Sequence, residues 1–126
     1  MVEKFRNILQ RIKQDKGNVT LFMIMRMESI TDKWSVILAA PWISELNKTE
    51  TFDYLRLLLI ENLTLEESST IARIGVFEIS NPIVNLITQN IEVESSEIQV
   101  NNTVINGLNI YEAIIFQSKR MTLSQL

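Results

Sequence analysis

The residue types that dominate enzyme active sites are missing from this chain. Its 126 residues include no histidine and no cysteine, which excludes a Ser-His-Asp triad, a Cys-His pair and any imidazole or thiolate metal ligand. The three glycines, Gly17, Gly75 and Gly107, lie too far apart to build a phosphate-binding loop. The composition favours a protein without catalytic activity, although carboxylates, Lys, Tyr or Arg leave an enzyme open.

Three glutamates, Glu92, Glu94 and Glu97, follow closely on a predicted helix. In an extended segment Glu92 and Glu94 share one face, and carboxylate oxygens are the ligands that Mg²⁺ and Ca²⁺ prefer. These residues are the basis of one alternative interpretation, a carboxylate- or metal-dependent enzyme such as a nuclease. A solvated connector in front of a hairpin is the favoured explanation. We therefore predict no catalytic residue, no metal ligand and no cofactor.

Two arginines and two tryptophans suggest a second chemistry, the binding of a small anion. Arg26 and Glu28 share one face at the polar end of an otherwise apolar segment, and Arg73 lies in another predicted strand. Together with Trp34 or Trp42, these arginines form a candidate site for a small anionic ligand. A structural ion pair is the competing explanation for Arg26.

Two neighbouring apolar segments, residues 19–28 and 33–42, organise the rest of the chain. Both are too short and too rich in apolar residues for amphipathic helices, and the polar residues 29–32 between them suit a turn. They predict two buried strands. A sheet with one wet face shows clean alternation of apolar and polar residues, and these strands do not. Both of their faces must therefore be covered.

The cover for the second face of this sheet is the central question that the sequence raises. Four helices of modest length suffice for one face, and a monomer avoids leaving a large apolar patch on the other. We therefore expect a homodimer that forms through the sheet or through an edge strand. Methionine is flexible and polarizable, and aromatic residues are enriched at interfaces. The predicted interface residues are Met23, Met25, Met27, Trp34 and Trp42.

The element order predicted from periodicity and turn residues is α-β-β-α-α-β-α-β-β, in one α+β domain spanning residues 1–126. Two hairpins flank a central strand, which predicts a mostly antiparallel five-stranded sheet with its helices chiefly on one face. Asn106-Gly107 is the strongest hairpin signal. Residues 118–126 are predicted to be a loose tail. Helices are predicted over residues 2–16, 52–62, 65–71 and 82–89, and later strands over 72–79, 98–105 and 108–117.

Composition narrows the class of protein further. The net charge of −3 argues against general nucleic-acid binding, which needs a basic surface. No apolar run reaches the length of a membrane span, and the charged N-terminal segment does not resemble a secretory signal. The absence of cysteine favours the cytoplasm. The leading interpretation is a small, non-enzymatic, cytoplasmic interaction module of bacterial or phage type, with a second copy or another protein as its partner.

Overall fold

The computed structural model describes residues 1–26 and 33–120 of the chain. The observed element order matches the prediction, and within the described residues the sheet has the strand order β3-β2-β1-β5-β4. Every neighbouring pair is antiparallel except β2–β3, so the predicted α+β class and mostly antiparallel sheet are confirmed. The elements are α1 (Val2–Lys16), β1 (Leu21–Arg26), β2 (Trp34–Ala39), α2 (Lys48–Asn62), α3 (Leu65–Ser69), β3 (Ile71–Phe77), α4 (Pro82–Asn90), β4 (Ile98–Ile105) and β5 (Leu108–Ser118).

The sequence predicted the chain order of the strands and not their spatial order. Strand β3 lies at one edge of the sheet, whereas β1 occupies the centre between β2 and β5. A parallel neighbour requires a crossover connection rather than a hairpin, and α2 with α3 provides it between β2 and β3. The predicted chain order, with one strand between two hairpins, is therefore confirmed, and in space this strand lies at an edge of the sheet.

Capping residues fix the helix starts. The Thr64 hydroxyl accepts from the Glu67 N–H at 3.1 Å, and the Glu67 carboxylate accepts from the Thr64 N–H at 2.9 Å, which confirms the predicted capping box of α3. Asn81 caps α4 with Pro82 in its first turn, also as predicted. Helix α2 begins at Lys48, one turn before the predicted residue 52.

The first face of the sheet, which carries Phe22 and Phe116, packs against α1 and α2. Phe5 of α1 stacks on Phe116 with ring centroids 5.6 Å apart, and it meets the Phe22 ring at 6.1 Å. All three rings are buried. Apolar burial of this kind is the dominant favourable term in folding, so this face is the principal core.

The second face of the sheet, which carries Met23 and Ile115, packs against α4. Val84 and Ile87 of α4 are buried there, and Val93 joins them through backbone hydrogen bonds of 2.9 Å with Ser118. The two longest helices lie on the first face, as predicted. The second face nevertheless has its own cover over the middle of the sheet.

Backbone conformation confirms the second hairpin. Asn106 and Gly107 have φ of +45° and +89°, both positive as a type I′ turn requires. Ser118 is fully buried in β5, so it does not belong to the predicted loose tail, of which residues 121–126 lie outside the described part. No helix within the described ranges combines the length and the apolar character needed to cross a membrane.

Candidate functional site

The methionines predicted to anchor an interface are buried inside the monomer. Met23 is 0% exposed and Met25 is 5% exposed, both in the cluster beneath α4. Neither offers surface to a partner, because α4 and Val93 cover the part of the sheet that the sequence left open. Met27 lies outside the described residues.

Arg26 takes part in an internal contact rather than an open binding site. Its Nε donates to the Glu112 carboxylate at 3.1 Å, and Glu112 is its direct cross-strand neighbour on β5. The guanidinium carbon also lies 5.2 Å from the Trp34 ring centroid and 5.1 Å from that of Tyr111. This arrangement combines an ion pair with two cation–π contacts. The structural ion pair considered for Arg26 is therefore present, and Glu28 lies outside the described residues.

The four predicted ligand-binding residues do not meet in one place. Arg26 and Trp34 lie together beside the first-face core. Arg73 pairs with Ser35 and lines a cavity on the second face. Trp42 follows the end of β2, packs against the first-face core and donates from Nε1 to the Asn18 carbonyl at 2.8 Å. The parallel register of β3 separates the two arginines, and the sequence did not reveal that register.

Two of the acidic residues after α4, Glu94 and Glu97, form ion pairs at the protein surface. Arg6 of α1 donates from Nε to Glu97 at 3.0 Å, and this hydrogen bond lowers the pKa of the Glu97 carboxyl. Glu94 lies 3.3 Å from the Lys119 ammonium. Across residues 1–26 and 33–120, no group of three acidic side chains is arranged to hold a metal ion. The observed contacts therefore explain Glu94 and Glu97 without a metal site.

Strand β3 forms one edge of the sheet, and most of its residues are apolar. Among the described residues, no other element forms a backbone hydrogen bond to this edge. Ala72 and Arg73 are exposed, and only Val76 of this strand is fully buried. An edge strand presents unpaired N–H and C=O groups that can pair with another strand. This edge is therefore the candidate interaction site.

The other edge strand, β4, carries features that oppose pairing. Asn102 has φ of +46°, a left-handed conformation that interrupts regular extended geometry. Polar side chains surround it: the Thr103 hydroxyl donates to the Asn101 carbonyl at 3.0 Å, and Gln99 donates to Glu112 at 3.0 Å. Strand β3 has no proline, no lysine and no left-handed residue along its length.

Exposed apolar side chains lie on both sides of the β3 edge. Phe52 of α2, 36% exposed, lines a shallow depression with Ile74 and Val76. Ile83 of α4, 49% exposed, borders the cavity on the opposite face. The apolar residues of α2 occupy more than one stripe of the helix, which predicts a well-buried helix; this prediction is wrong, because Phe52, Leu57 and Ile60 are exposed. The exposed large apolar residues of α2, α3, α4 and the loop before α2 are Leu46, Phe52, Leu57, Ile60, Leu65 and Ile83.

Comparison with protein-family models, with curated proteins and with solved structures found no match for this chain. The β3 edge and the surfaces beside it are therefore the features that bear on its function.

Proposed function

We propose that this protein is a non-catalytic interaction module that self-associates by pairing β3 with β3 of a second copy. The observation that carries the proposal is the unprotected outer edge of β3, which lies between exposed apolar side chains on both faces of the sheet. Pairing of two such edges satisfies backbone hydrogen-bonding groups and removes apolar surface from water in one step. The resulting sheet continues from one copy into the next.

A second copy suits this edge because the edge complements itself. Two-fold symmetry requires the same patch on both partners, and an antiparallel pair of strands has that symmetry. With the axis at Ile74, the middle of the seven-residue strand, Arg73 lies opposite Gly75 of the second copy. The strand's one charged side chain then faces a position without a side chain. The remaining cross-strand pairs are apolar, which is the type of pair that stabilises a sheet.

The flanking apolar residues are needed to reach the size of a stable interface. A seven-residue strand is about 23 Å long. A standard interface removes about 800 Å² per partner, roughly a ninth of the 7313 Å² surface of this protein. Strand pairing has to be supplemented by side-chain contact on both faces. Phe52 and Ile83 are the residues placed to supply it.

The cellular setting of this module remains a prediction from composition. Its lack of cysteine is typical of a protein of the reducing cytoplasm, and we propose a cytoplasmic protein of bacterial or phage type. Another protein that offers a free extended strand is the competing partner for the β3 edge. The test below separates that case from self-association.

Sedimentation velocity of the purified chain at micromolar concentration tests the proposal. We expect a species of twice the 14.6-kDa chain mass. Ala72→Lys places a charge on the exposed β3 edge and should give the monomer, because lysine on an edge strand opposes pairing. The matched control is Val104→Lys on β4, where the original side chain is 64% exposed; this variant should remain dimeric.

Two outcomes would contradict self-association through β3. One is a wild-type chain that stays monomeric throughout the micromolar range, which would leave a foreign strand as the only partner for this edge. The other is loss of the dimer in Val104→Lys with the dimer kept in Ala72→Lys, which would assign the interface to β4. Thermal unfolding of both variants checks that neither substitution acts by disrupting the fold.

A further inference from the structure

The second face of the sheet contains a cavity that the α4 packing leaves open. It lies between the start of α4 and strands β2 and β3, with a volume of about 370 Å³. This volume falls within the range of small-molecule sites, which are typically concave and mostly apolar. The apolar side chains that line it include Leu21, Met25, Ile37, Phe77, Ile83 and Leu108.

A glycine in the edge strand shapes the floor of this cavity. A Cβ atom at Gly75 would lie 2.6 Å from Cε2 of the Phe77 ring, so the ring lies against the bare backbone at this position. Glycine inside a strand commonly marks such a close approach. Ile37, the neighbour of Gly75 on β2, continues the apolar floor. The cavity therefore has a flat apolar floor next to the exposed edge of the sheet.

Arg73 supplies the charge at this cavity. The polar residues of the lining are Ser35, Arg73 and Asn81, and the Asn81 carboxamide oxygen is already used to cap α4, accepting from the Ile83 N–H at 2.9 Å. Arg73 is exposed and has no carboxylate partner among the described residues. The lining includes no acidic residue. The positive end of the α4 dipole adds to the same potential.

We propose that this cavity binds a small amphipathic carboxylate, such as a short fatty acid. The hydrocarbon part occupies the apolar floor, and the carboxylate pairs with the Arg73 guanidinium, whose planar fork matches two carboxylate oxygens. A cationic ligand would find no carboxylate in the cavity. A neutral ligand of the same shape would leave the guanidinium without a counter-ion. Free phosphate would gain nothing from the apolar walls.

Calorimetric titration with octanoate tests this site. We expect one octanoate per chain, with clearly weaker binding of octyl glucoside, which has an alkyl tail of similar length and a neutral head. Arg73→Gln should weaken octanoate binding by up to about fivefold, because Arg73 is exposed and an exposed ion pair contributes only modestly. Arg56→Gln is the matched control, because it removes the same charge from an exposed residue of α2 outside the cavity lining.

A second variant keeps the test decisive if Arg73 substitution affects the fold. Ile83→Asp places a carboxylate at the cavity rim and in the first turn of α4, where negative charge favours the helix. It should abolish octanoate binding with no loss of thermal stability. Because Ile83 also lies at the proposed β3 interface, the titrations of every variant are made in the Ala72→Lys background, where a loss of binding reports on the cavity alone.

The proposal is overturned by any of three results. These are the absence of octanoate binding at millimolar concentration, equal affinities for octanoate and octyl glucoside, and equal losses in Arg73→Gln and Arg56→Gln. Failure of octanoate to bind both the wild type and the Ala72→Lys variant rejects the cavity alone and leaves the β3 interface unaffected. A monomeric wild type that binds octanoate rejects the interface alone.

Discussion

The two edge strands of this sheet are nearly equal in length and differ in almost everything else. Strand β4 has eight residues, most of them polar or exposed, with the left-handed Asn102 in its middle. Strand β3 has seven residues that are mostly apolar, with one irregularity at Ala72, where its register with β2 shifts. Natural sheets usually protect their edges against unwanted pairing. Because β4 is the better protected of the two edges, we propose that a partner pairs with β3.

The two edges also differ in how the chain reaches them. A two-residue turn joins β4 to β5, so local backbone chemistry fixes its place. Strand β3 follows the crossover through α2 and α3, and its place depends on packing between distant parts of the chain. The protected edge is therefore a local feature, and the open edge is a product of the tertiary fold.

The largest predicted loss of stability concerns the turn that fixes the β4 edge, and it should leave pairing through β3 intact. Gly107→Val forces a β-branched side chain into a conformation with φ of +89°, at a cost of roughly 1–3 kcal/mol. Chemical denaturation should show this loss as a lower midpoint. Because the turn lies in the β4–β5 hairpin, sedimentation at a temperature where the variant is folded should still show the dimer. An unchanged midpoint would mean that the turn does not control the β4 edge.

The features of the fold that are local were predictable from the sequence. Asn106-Gly107, the Thr64–Glu67 capping box and the Asn81-Pro82 helix start each specify backbone geometry within a few residues, and each is confirmed. The strand order was not predictable, because the parallel neighbour of β3 is selected by the crossover through α2 and α3.

The sequence predicted that both faces of the sheet need apolar cover, and it did not predict where the candidate site lies. Residues such as Met23 showed that both faces of the sheet need cover, which is correct. The sequence could not show that α4 buries Met23 and Met25 while leaving Ile37 and Phe77 beside a cavity. That outcome depends on where a nine-residue helix lies across the sheet. The uncovered apolar surface was predicted at the centre of the sheet, and the structure has it on the β3 side instead.

A smaller effect on stability is expected from the ion pair between α1 and α3, the helix that precedes β3. Lys4 donates to the Glu67 carboxylate at 2.6 Å and, with the Thr64 N–H, lowers the pKa of Glu67 to about 2. A lowered pKa stabilises the fold above the unfolded-state pKa, and this contribution is lost as the pH falls from about 4.5 towards 2. Glu67→Gln should therefore show a shallower fall in its denaturation midpoint over this range.

The neighbouring exposed residue provides the control for that titration. Glu66→Gln removes one carboxylate from the same helix at a position without an ion pair among the described contacts. Its acid dependence should follow that of the wild type. If Glu67→Gln also follows the wild type, the ion pair with Lys4 does not contribute to the support of α3 and β3.

The most direct test of the β3 interface is amide hydrogen exchange of both edge strands at several protein concentrations. Exchange reports the opening of individual backbone groups, and protection from self-association rises with concentration by mass action. We predict that amides within Ile71–Phe77 exchange more slowly as the concentration increases through the micromolar range, while those within Ile98–Ile105 do not change. Concentration-dependent protection in β4 alone, or in neither strand, would contradict pairing through β3.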